Sequence, residues 1–213
     1  GIFLKMRVSL HKILFKNMLN RRILRIKAFK VLYSSVLSDD MTLSHAESQL
    51  EISCEATRDL YLYMLGIVSP LTAVARERIE AAKSKFNPTE EERNPNMKFA
   101  ENALAALLDK DPDFNKLFAK KKLSWQQYDL FLKKVMSSVM TKDYYAEYMA
   151  SETRSLAEDC RLFTRIFEEE FVDSEELEMI LEDKSIYWND DLAYSLTWCC
   201  KTLKSLSDGE RWQ

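Results

Sequence analysis

Apolar side chains recur along most of this chain at three- and four-residue intervals, the period of an amphipathic helix. Residues 19–37 form one such run, basic in its first turns and apolar nearly all round in its later part. At about 100° per residue, Leu24, Ala28, Val31 and Leu32 form one stripe, and Phe29, Tyr33 and Val36 form a second on the other side. A helix apolar on both sides is normally buried by its neighbours. The pattern therefore predicts one helix over 20–37 that threads a bundle core, with its first turns protruding. Ser38-Asp39-Asp40 ends it. Exposure of Leu32 and Tyr33 would then require some other covering surface.

The later helices announce themselves by caps and breakers. Thr42 can cap a helix carrying Leu60, Met64 and Leu65, which Ser69-Pro70 interrupts, because proline suits a first turn better than an interior. The next helix runs to about Phe86. Residues 87–96, with two Asn-Pro steps, read as a loop. Short helices follow over 97–109 and 113–121, split by Asp111-Pro112. Ser124-Trp125-Gln126-Gln127 has the form of a capping box opening a helix to about Met140. Lys142–Ala150 and 154–171 are helical in period. Ser174 caps the next segment, Asn189-Asp190-Asp191 caps a last helix through Leu203, and residues 207–213 read as a frayed tail. No internal repeat interrupts this series. The expected fold is all-α, a bundle of about eight to ten helices over residues 18–206.

Composition sharpens the picture. Of 213 residues, 46% are hydrophobic, enough to bury a core, while glycine occurs three times. Sheet proteins need more turn glycines than that. The four cysteines, Cys54, Cys160, Cys199 and Cys200, show no disulfide spacing, which fits a cytoplasmic protein. Cys199 and Cys200 lie in an apolar helical stretch and read as buried thiols. His11 and His45 have no partner at metal spacing, so neither a metal site nor a cofactor is expected. Nor does any Ser/His/Asp or Cys/His pairing suggest an enzyme. No apolar run has the length of a membrane span.

Charge is strongly polarised. The first thirty residues carry nine Lys/Arg and no acid, whereas residues 151–213 have a net charge of −9. A basic end on an acidic body suits a polyanion, nucleic acid or an anionic membrane surface. Within that end, residues 1–17 form a basic leader in which Gly1 reads as an expression remnant. Two readings of the leader stay open: a native basic segment, or an upstream stretch before a true start at Met18.

On a helix, Arg21, Arg25 and Arg22 fall within an arc of about 100°. Guanidinium groups bind phosphate bidentately and stack on exposed bases, and a helix N-terminus adds a positive end. The alternative is an ordinary basic face paired with the acidic body. Lys27 and Lys30 lie on a different face and would add only general field. The wider pattern, Arg21, Arg22, Arg25, Ala28, Leu32, Tyr33 and Ser34, resembles the arginine-rich first helix of the NusB transcription antitermination family. Stretches around Pro88–Asn96, Tyr148–Glu152 and Tyr187–Asp191 resemble those of longer family members with a helical extension. The family's C-terminal signatures are not found before Gln213, so the chain resembles the N-terminal portion of such a protein.

The resemblance implies an RNA-binding transcription antitermination or termination factor. It would bind single-stranded, boxA-like RNA in nascent ribosomal transcripts, with ribosomal protein NusE and the RNA polymerase complex as partners. Arg21, Arg22 and Arg25 would contact RNA. A homodimer that buries the first helix is a further expectation. Two other readings compete. One is a membrane-surface protein anchored by its basic amphipathic N-terminus. The other is an accessory RNA-binding domain of a ribosomal RNA methyltransferase.

Weaker candidates have plainer explanations. Lys120-Lys121-Lys122 beside Trp125 and Tyr128 could bind single strands, but a solvated helix end explains them better. Glu168-Glu169-Glu170 and the glutamates at 175, 176 and 178 read as solvated faces. Trp125, Trp188 and Trp198 read as core anchors.

Overall fold

The computed structural model describes residues 19–38, 42–188 and 190–209. The leader at 1–17 and the last four residues of the tail lie outside the described residues. The protein is all-α, with no strand among the described residues. The helices are α1 (Arg21–Leu37), α2 (Leu43–Leu65), α3 (Val68–Lys83), α4 (Glu90–Arg93), α5 (Ala103–Lys110) and α6 (Pro112–Lys120). They are followed by α7 (Asp129–Val139), α8 (Asp143–Ala150), α9 (Leu156–Ile166), α10 (Glu175–Lys184) and α11 (Leu192–Ser207).

Local rules explain most boundaries. Asn20 accepts the Ile23 N–H at 3.0 Å and Thr42 accepts that of His45 at 3.2 Å, each satisfying a free donor of a first turn. Asp111 accepts from both Asp113 and Phe114, with Pro112 in the first turn of α6. Ser174 accepts the Leu177 N–H at 3.2 Å. Within the expected loop, Thr89 and Glu92 close a complete capping box around the single turn of α4. Gly66 follows α2 where a side chain has no space: a Cβ there would sit 2.5 Å from the Phe118 ring.

Two expected caps form differently. Ser124 accepts the Gln126 N–H at 3.2 Å, and a 3₁₀ turn over Gln126–Tyr128 delays α7 to Asp129, so no capping box is made. Asp191 makes no side-chain cap for α11, because its carboxylate is engaged elsewhere. The predicted helix over 154–171 is α9 followed by a π-helical turn over Phe167–Phe171.

The core runs along α9 and α11, which pack on each other, with α2 across α11 and α3 beneath α5 and α7. Phe163, Phe167 and Phe171 are wholly buried, with Phe99 stacked on Phe163 at 5.6 Å between centroids. A second aromatic nucleus holds Tyr63, Trp125 and Trp188. Tyr63 and Trp125 stack at 4.1 Å, and both indole N–H groups donate to carbonyls of α2. Trp198 is half-buried.

The expectation that α1 threads the core is overturned. α1 packs mainly on α2, through its Ile23, Lys27 and Val31 side. Its opposite side faces solvent: Phe29 is 69% exposed, Leu32 56%, Tyr33 59% and Val36 80%. Of the first stripe only Ala28 and Val31 are partly covered, Leu24 being 38% and Leu32 56% exposed, and the second stripe is open to solvent, so the docked side coincides with neither.

Candidate nucleic-acid interface

α1 is moored by one buried cation. Lys27 lies on the docked side, 5% exposed, and its Nζ donates to Asp191 Oδ2 at 2.8 Å and to Ser53 Oγ at 2.9 Å. The Thr57 hydroxyl donates to the same Asp191 oxygen at 2.7 Å. A charge pair withdrawn from water holds only when its remaining hydrogen-bonding capacity is filled, and here two hydroxyls of α2 fill it. One turn on, Lys30 pairs with Asp190 at the surface. The Asn20 N–H meets the Tyr194 hydroxyl at 3.4 Å. The loop before α11 thus presents two consecutive aspartates to two lysines one helical turn apart. Lys27 and Lys30 do lie away from the arginine arc, and ion pairs take up both charges.

A cleft of about 450 Å³ opens beside this clasp between α1, α2 and the 3₁₀ turn over Ile186–Trp188. Its walls include His45, Gln49 and Tyr187, with Tyr187 donating to Gln49 Oε1 at 2.9 Å.

With the opposite side held, Arg21, Arg22 and Arg25 project outward. All three are exposed, and no ion pair among the described residues involves them. The reading of this arc as a basic face neutralised by the acidic body therefore does not describe it. Phe29 and Tyr33 continue the same outward side, their rings stacked at 6.3 Å between centroids. The outer face of α1 is thus cationic over its first two turns and aromatic and aliphatic over the rest. No acid sits in the first turn to offset the positive end of the helix dipole.

Several residues of the other candidates are held in ion pairs. Lys121 pairs with Glu55 and, at 3.4 Å, with Asp59, so it serves the junction with α2. Lys134 pairs with Glu176 at 3.0 Å, and Arg165 pairs with Glu169. Burial pushes the Cys160 thiol up to about 12 and the Cys200 thiol up to about 11, the charge of Glu168 adding to the latter. No group of three or more potential metal ligands occurs among the described residues.

One buried polar cluster had no counterpart in the sequence reading. Lys98, 4% exposed, donates to the carbonyls of Tyr148 and Ser151 at 2.6 and 2.9 Å and pairs with Glu158 at 3.0 Å. Asp159 accepts from the Tyr148 hydroxyl at 2.6 Å and from the Ala103 N–H at 2.7 Å. The cluster joins the end of α8 to the starts of α5 and α9: a cation caps free carbonyls, and a carboxylate caps the first amide of α5. Burial raises the Asp159 carboxyl above its ordinary range, with Glu158 adding, against the opposing hydrogen bonds and Lys98. The Asn94-Pro95 loop signal lies close by, but nothing local marks Lys98 as buried.

Comparison with protein-family models, with curated proteins and with solved structures gives no match to the chain. Among the described residues, no helix is long and apolar enough to cross a membrane.

Proposed function

We propose that the protein is a single-stranded RNA-binding factor of NusB type that acts in transcription antitermination, with Arg21, Arg22 and Arg25 as its phosphate contacts. The observation that carries this reading is the arginine triad. It stands on one exposed face at the start of a helix whose other face is fixed by the Lys27–Asp191 clasp. A moored helix presents its cations without first ordering a chain, which favours binding. The resemblance of residues 21–34 supplies the RNA class, a boxA-like single strand, and the NusE and polymerase partners. Exposure of Leu32 and Tyr33 weighs against that resemblance unless something covers them. On this reading the cover is a second copy.

The test is charge reversal of all three arginines. R21E/R22E/R25E should abolish binding to a short single-stranded RNA and leave the helical circular dichroism unchanged. If each arginine neutralises one phosphate, log K should fall with log salt at a slope of about −0.7 per contact, roughly −2 in total, and the variant should lose that slope. Unchanged affinity in the variant would remove this face from the proposal.

A second reading is favoured by one observation. Arginines followed by exposed Phe29, Leu32, Tyr33 and Val36 on one face are also what an anionic bilayer surface takes up. Co-sedimentation with phosphatidylglycerol vesicles, with no RNA binding, would select it.

A further inference from the structure

Residues 151–213 are the most acidic part of the chain, yet four of their seven basic side chains, Arg161, Arg165, Lys201 and Lys204, line one groove. The groove lies on the outer side of the α9–α11 pair and encloses about 860 Å³. Arg161, midway along α9, donates to Ser207 Oγ at 3.3 Å at the end of α11, and Glu168 further along the chain acts on the Cys200 thiol earlier in α11, so the two helices run antiparallel. The groove follows α11 from Ala193 to Asp208, about 22 Å at 1.5 Å per residue.

Its floor is apolar and low. Buried Phe167 and Leu196 lie beneath Ala193, Thr197, Cys200 and Thr164, all small enough for a third backbone to approach closely. Residues at three- and four-residue steps on two neighbouring helices form the ridges between which another helix packs. The two ends differ in charge. At the Ser207 end stand Arg161 and Lys204, neither in an ion pair among the described residues, with Lys201 4.6 Å over the Trp198 ring. Arg165 is already paired with Glu169. Val172, 45% exposed, and Ala193 also line the groove. Glu168 and Asp208 also border the groove and reduce its positive charge without cancelling it.

The geometry points to a docking site for an amphipathic helix of a partner protein, one with an apolar stripe and carboxylates gathered at one end. The stripe would fill the floor, and the carboxylates would meet Arg161, Lys201 and Lys204. This site lies on other helices than α1 and does not rest on the RNA reading.

A labelled synthetic peptide tests it: about sixteen residues with leucines at helical i, i+3, i+4 and i+7 spacing and glutamates confined to one end. Its twin has lysines in place of the glutamates. Fluorescence anisotropy at low salt should show the acidic peptide binding at least about tenfold tighter than the twin. K201E/K204E alters two exposed positions, so the fold persists, and it should reverse the preference. Filling the floor with Cys200→Trp should abolish binding of both peptides. Equal binding of the twins, or a preference that survives K201E/K204E, would overturn the site. Binding to phosphatidylglycerol vesicles that is lost in K201E/K204E would overturn it in favour of a lipid surface.

Discussion

Asp159 shows what burial does to one side chain. Its carboxylate is held by a phenol and a backbone amide, but removal from water outweighs both and its pKa is raised above the ordinary 3.8. A raised folded-state value means that this group's stabilisation is complete below the unfolded value. It is lost as pH rises through the folded one. In Asp159→Asn the amide can still accept from Ala103 and can donate to the Tyr148 hydroxyl. The difference in urea midpoint between wild type and variant should therefore move against wild type as pH rises from 3.8 through the elevated range. A difference independent of pH would show that the carboxyl titrates normally. Position 111 offers a simpler case. Asp111→Ala leaves two N–H groups of α6 without their acceptor and should cost about 1 kcal/mol, within the 0.5–2 kcal/mol typical of lost caps, measured by chemical denaturation.

At the scale of the element, α1 is the informative helix. It is joined to the bundle along one side, and its one buried charge is bound to residues more than a hundred positions apart, Ser53 and Asp191. Removing one member of such a pair leaves the other buried and uncompensated, a loss of about 3–5 kcal/mol in comparable sites. Because α1 packs on the bundle along one side only, Lys27→Met should loosen the helix and leave the bundle folded. Amide exchange over residues 21–37 should accelerate, while α9 and α11 keep their protection. Pairing it with Asp191→Leu removes both charges and should restore much of that protection. Equal acceleration through α9 would show that α1 and the core unfold as one unit.

At the scale of the whole molecule, a basic, outward-facing helix lies against a body whose last third is acidic. The Lys27–Asp191 and Lys30–Asp190 pairs are where that polarity becomes contact. The uncovered side of α1 exposes Phe29, Leu32, Tyr33 and Val36 together, a patch of the kind that marks an interaction surface. L32S/V36S should change folding stability by no more than about 0.5 kcal/mol, because neither side chain is buried. The same variant should reduce hydrophobic-dye binding and concentration-dependent self-association in analytical ultracentrifugation. A large loss of stability would mean that these residues are packed in solution.

Helix existence and most boundaries were determined by the sequence alone, because a cap or a breaker acts within three or four residues of itself. Thr42 and Ser174 each sit beside the amides they satisfy, at the spacing that marks them in the sequence, and Asn20 and Asp111 bond over the same short range. The arginine arc was legible for the same reason, since three exposed residues on one turn need no distant partner to define their face. The burial of Lys27 and Lys98, the diversion of Asp191 from capping to the clasp, and the exposed side of α1 were not legible. Each depends on which distant segment occupies the neighbouring space. The apolar pattern of this helix does not say which side docks; the packing of α2 and the anchoring of Lys27 by Asp191 decided that it is the side of Ile23, Lys27 and Val31.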